Sequence, residues 1–74
     1  MDRAALLKQL AQTERDIAAG KKLIENQQLV VAELERSGRD TWTASAFLRM
    51  LLESQTFHQS DRDRLQAELA AIKE

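Results

Sequence analysis

From Leu6 to Leu34 the chain repeats one spacing, alternately four and three residues, through Leu10, Thr13, Ile17, Gly20, Ile24, Gln27 and Val31. That is the heptad rhythm of a coiled-coil seam, and it commits this arm to a long helix packed along another helix. One row of the seam, Leu10, Ile17, Ile24 and Val31, is wholly apolar. The other row, Leu6, Thr13, Gly20, Gln27 and Leu34, is apolar only at its ends, so its middle must pack closely or hydrogen-bond.

The rhythm resumes after one interruption. A second seam runs through Ala44, Leu48, Leu51, Gln55, His58, Arg62, Leu65, Leu69 and Ile72. Between the two arms lies Ser37-Gly38-Arg39-Asp40-Thr41, where helix signals stop and restart. Asp2 is placed to cap the first helix and Arg36 puts positive charge in its last turn. Gly38 can take the left-handed conformation that ends many helices, and Asp40 or Thr41 then caps the next. The sequence therefore predicts an all-α, single-domain antiparallel hairpin over residues 1–74, with a helix at 2–37, a turn at 38–40 and a helix at 41–73. The alternative is a second arm broken near Ser60, since Ser54 to Ser60 holds weak helix formers and Ser60 with Asp63 resembles a capping box. No Gly or Pro enforces a break there, and the seam keeps its phase across it.

Folding about Gly38 pairs residues whose numbers sum to roughly 77, and the two seams then agree. Leu34 then meets Ala44, Val31 meets Phe47, Ile24 falls near Ser54, Thr13 faces Arg64 and Leu65, and Leu6 meets Ile72. Gly20 comes opposite Phe57 and His58, so these three are expected to pack in the seam, the glycine making room for a ring. Thr13, Gln27, Gln55, His58 and Arg62 form a polar waist, a device that fixes register in coiled coils.

Each helix buries only one stripe against the other. Leu7, Leu23, Val30, Trp42, Phe47 and Leu52 flank the seams and would stay in water, so they are the expected interface of a homodimer, two hairpins forming a four-helix bundle. For Trp42 and Phe47 the competing expectation is that they cover the turn end of their own hairpin.

Composition limits the alternatives. A chain of 74 residues builds one small core, of ~3–5 kcal/mol, and has no cysteine to cross-link it. Eleven Lys and Arg against twelve Asp and Glu, spread along the chain, offer no single-sign surface to attract nucleic acid or anionic lipid. No apolar run exceeds four residues, as in Leu29 to Ala32, and the N-terminus lacks the uncharged core of a signal peptide, so a cytoplasmic protein with no membrane contact is expected.

No catalytic, cofactor-binding or metal motif is present, and the expectation is a non-enzymatic interaction or scaffolding module. His58 is the only imidazole, with Gln55, Asp61 and Arg62 within a turn. A phosphorelay adaptor using His58 is one alternative function, but histidine phosphotransfer domains look for lysine and glycine just after the histidine, and Gln59, Ser60 and Asp61 follow here. A structural histidine on the seam is the favoured reading. One imidazole with scattered carboxylates lacks the ligand set zinc prefers. The run Asp61-Arg62-Asp63-Arg64 reads as a solvated face of local ion pairs. Binding of RNA along one face of a hairpin dimer is the other alternative, through Arg15, Lys21 and Lys22, which Glu14, Asp16 and Glu25 dilute.

The run Asp16-Ile17-Ala18-Ala19-Gly20, followed by Ile24, Gln27, Val31, Leu34, Gly38, Asp40-Thr41, Leu48, His58, Arg62 and Leu65, resembles a family of short, uncharacterised helical-hairpin proteins of alphaproteobacteria. Members carry a segment like H-I-A-E-G, a turn like D-G-H-D-T, and later an L-H followed by R-D-R-L. The resemblance covers roughly residues 14 to 70. Asp16 stands where many members have histidine, and Ser37-Gly38-Arg39 where they have Asp-Gly-His, which removes ring nitrogens that would join His58 in a shared site. The family has no assigned activity, so the resemblance implies the hairpin and supplies no function.

Overall fold

The computed structural model describes residues 2–72. It contains two helices, α1 (Arg3–Arg36) and α2 (Trp42–Ala71), folded back on each other into a rod of 59 × 14 × 13 Å. Each boundary has a local cause. Asp2 is the N-cap of α1, its carboxylate accepting the Ala5 N–H at 2.7 Å. At the other end Gly38 takes φ +69°, Arg39 N–H donates to the Leu34 carbonyl at 2.8 Å and Gly38 N–H to the Glu35 carbonyl at 3.1 Å. Those bonds form a Schellman closure, which satisfies carbonyls the helix end would otherwise leave open. Asp40 and Thr41 share the start of α2. Thr41 holds the N-cap position without a side-chain bond, while the Asp40 carboxylate accepts from Trp42 N–H at 2.9 Å.

α2 runs unbroken through Ser60, so the capping-box resemblance there is overridden by continued packing of the seam. It ends at Ala71, with Ile72 already extended; the expected end at Lys73 lies outside the described residues.

Left-handed backbone at a residue with a Cβ costs roughly 1–2 kcal/mol. Gly38→Ala has open space around the added carbon and meets only this backbone strain. The substitution should lower stability by about 1 kcal/mol with no loss of helicity at low denaturant, as a urea titration followed by circular dichroism would show.

Every seam residue of both arms, from Leu6 to Leu34 and from Ala44 to Ile72, is buried or half-buried. The interior is nevertheless thin. Among the described residues only Leu6 and Leu65, each 2% exposed, and Gln55, 9% exposed, count as buried. Leu6 and Leu65 both lie toward the end away from the turn, where Leu10, Leu69 and Ile72 extend the apolar contact.

The register differs from a residue-for-residue reversal. The cross-helix contacts Gly20 to Gln55, Ile17 to Gln55 and Gln27 to Ala44 join residues whose numbers sum to 75, 72 and 71 rather than 77. Each pairing anticipated from the turn is thus displaced by about one helical turn. Phe57, one residue off the second seam, is 75% exposed because of its phase instead of packing there, and Gly20 faces Gln55. The cause lies in the connection. Arg39, Asp40 and Thr41 are not helical, and non-helical backbone advances up to ~3.3 Å per residue against ~1.5 Å in a helix. The chain therefore descends from the turn faster than residue counting allows, and α2 starts further down α1. A shift of three residues keeps seam facing seam, because both rows of the heptad point inward.

Candidate functional site

Two glutamines fasten this register. Gln27 of α1 reaches across to donate to the Ala44 carbonyl at 2.9 Å, and Gln55 of α2 donates to the Ile17 carbonyl at 2.8 Å. Each helix thus lends a side-chain amide to the other's backbone, and sliding by one turn would break both bonds. The polar waist acts in this way through its glutamines; Thr13, His58 and Arg62 are half-buried beside them.

Gly20 is required by the second of these bonds. A Cβ built on it would lie 3.0 Å from Gln55 Cδ and closer still to Gln55 Oε1. The helix of α1 accepts a glycine so that the Gln55 amide can lie flat against its backbone. Gln55 Oε1 has no hydrogen-bond partner and is enclosed against this glycine.

Beside this contact an open groove of about 340 Å³ runs between the helices, lined by Asp16, Ala19, Gly20 and Leu23 on one wall and Leu51, Ser54, Gln55 and His58 on the other. His58 sits inward in it, half-buried, with Nδ1 enclosed and unpartnered. Asp16 accepts from Gln12 at 3.0 Å and is not hydrogen-bonded to His58 or Ser54. The groove therefore brings a carboxylate, a hydroxyl and an imidazole together without joining any two of them into a proton-transfer pair. Among the described residues no group of three or more His, Cys, Asp or Glu is placed to hold a metal ion, and no helix is long and apolar enough to cross a membrane.

The groove also divides the surface. Helical periodicity continues its α1 wall along Ala19, Leu23, Asn26 and Val30, and its α2 wall along Phe47, Met50, Ser54 and Phe57. With the numbers of contacting residues summing to 71–75 across the seam, these two lines occupy the same height on the rod. Neither carries a charged residue; the first charges are Asp16 and Glu33 on α1 and Asp61 on α2. Leu23, Val30, Phe47, Met50 and Phe57 are all exposed there, and Leu29 stands at the edge of the same side. The opposite flank at this height carries Lys21, Glu25, Gln28 and Arg49 around Leu52.

The six flanking residues picked out by the seam pattern are all exposed, at 44–75%. They do not form one patch. Leu23, Val30 and Phe47 lie on the groove flank, whereas Leu7, Leu52 and Trp42 fall on the other by their heptad positions. Met50 and Leu29, 65% and 68% exposed, belong with the groove flank and are missed by seam spacing alone. Following Phe47 by three, seven and ten residues, to Met50, Ser54 and Phe57, finds the α2 line.

Several charged residues are paired locally. Arg64 pairs with Glu68 at 3.1 Å and Asp61 at 3.8 Å, Arg62 with Asp63 at 3.1 Å, and Arg36 with Glu33 at 2.6 Å. Arg15 donates to Gln12 at 2.8 Å. Asp61, Asp63 and Arg64 are thus exposed and paired locally, at a few tenths of a kcal/mol per pair, while Arg62 is half-buried on the seam. No known family, curated protein or solved structure matches this chain.

Proposed function

We propose that this hairpin is a non-enzymatic interaction or scaffolding module that self-associates, two copies forming a four-helix bundle. The observation carrying this reading is surface the fold leaves unburied. The chain exposes 5719 Å², where a compact monomer of this mass exposes ~4,600 Å². The difference of roughly 1,100 Å² is slightly more than one partner's share, ~800 Å², of a standard protein interface. Leu23, Val30, Phe47, Met50 and Phe57 are among the large apolar side chains left exposed. A second copy would cover such surface and supply the burial that two helices alone lack.

Sedimentation equilibrium at micromolar concentration tests the reading. The wild type should run at twice the chain mass, and Leu23→Lys with Val30→Lys should run as a monomer of lower helicity. A monomeric wild type across the whole concentration range overturns self-association.

A further inference from the structure

We infer that the second copy docks on the groove flank, the uncharged face made by Leu23, Val30, Phe47, Met50 and Phe57, and leaves the flank carrying Leu7, Trp42 and Leu52 in water. This rests on self-association and says which surface performs it.

Three observations select this face. The first is the coincidence in height of two uncharged lines. Ala19 to Val30 on α1 and Phe47 to Phe57 on α2 lie side by side, because the numbers of contacting residues sum to 71–75. Charged residues are depleted at the buried centre of an interface because removing them from water is costly. Here the uncharged zone is bounded by Asp16, Glu33 and Asp61, as a core is by its rim.

The second is the other flank. At the same height it presents Lys21, Glu25 and Arg49, and a symmetric copy packed there would bury all three. Its apolar residues are also scattered, with Leu7 near the far end of the rod and Trp42 at the turn.

The third is shape. Gln55 and His58 line the groove beneath its rim, with Gln55 Oε1 and His58 Nδ1 themselves enclosed by the hairpin. Leu23 on one wall is 52% exposed, so the rim stays wet in a single hairpin. Phe47 and Phe57 stand on the same flank, and a two-fold related copy brings protruding rings to the face that also has the hollow. A face that carries both rings and a hollow supplies the two halves of contact that an isologous dimer uses.

Trp42 is the chain's only tryptophan and is 75% exposed, which makes the unmodified protein its own reporter. Over a dilution series spanning the association, the sedimenting mass should halve while the Trp42 emission maximum stays at its solvent-exposed position. Met50→Lys with Phe57→Lys replaces side chains that the hairpin interior does not use, and should give a folded monomer at concentrations where the wild type is dimeric. Leu7→Lys with Leu52→Lys should remain dimeric. A blue shift of Trp42 on association, or a monomer from the Leu7 and Leu52 pair with a dimer from the Met50 and Phe57 pair, overturns the choice of face and leaves self-association standing. A wild type monomeric throughout overturns both.

Discussion

Replacing Leu65 by alanine should abolish the folded hairpin in dilute solution. Leu65 is the largest fully buried side chain among the described residues, at 2% exposure. Truncating a buried leucine to alanine costs ~2–5 kcal/mol through lost transfer energy and the cavity left behind. A core of this size supplies only ~3–5 kcal/mol, so the loss is comparable with the whole. The same change at Leu29, which is 68% exposed, should shift stability by no more than about 0.5 kcal/mol. Both variants are compared by urea titration at one protein concentration, because association would add to apparent stability by mass action. If Leu65→Ala were no worse than Leu29→Ala, the far end of the rod could not be the hairpin's core.

The difference between these leucines is legible in the amino-acid pattern, since Leu65 continues the second seam and Leu29 stands outside the first. Every position the seams name is buried or half-buried, because burial along a helix is a matter of phase, and phase is local. Asp2, Gly38 and Asp40 are equally local, each acting within a few residues of itself. Height along the rod is different. It depends on the path of Arg39, Asp40 and Thr41, and no heptad pattern records how far three non-helical residues travel. Two heptad seams fit one another after a slide of one turn almost as well as before it. What breaks that near-degeneracy is the pair of glutamine bonds to Ala44 and Ile17. A polar waist is visible in the sequence, but not which carbonyl each amide chooses.

The candidate face follows from the same distinction. Phase alone marks Leu23, Val30 and Phe47 as exposed. Their separation from Leu7, Leu52 and Trp42 needs the groove, whose walls show which side of each helix adjoins which. Phe57 shows that height is not enough: it lies one residue off the second seam, so its phase puts it on the outer surface at whatever height it stands. Its ring then joins Met50 and Phe47 on the uncharged flank.

Gly20→Ala should bring no gain in stability in the wild-type chain, although alanine is the better helix former by up to about 1 kcal/mol. The new Cβ would occupy space held by the Gln55 amide. Gln55 must swing away, breaking its bond to the Ile17 carbonyl, and a net hydrogen bond of this kind contributes ~0.5–1.5 kcal/mol. The two effects are of opposite sign and similar size. With Gln55→Ala already present the obstruction is gone, so the same glycine substitution should stabilise by about 0.5–1 kcal/mol. A double-mutant cycle in urea should therefore show a coupling equal to the lost bond, roughly 0.5–1.5 kcal/mol, between two residues 35 positions apart in sequence. An equal gain in both backgrounds would mean that Gln55 does not lie on Gly20. The register fixed by that contact would then fall, and with it the alignment of the two uncharged lines that defines the docking face. The cycle thus tests the geometry from inside the hairpin, independently of whether a second copy binds.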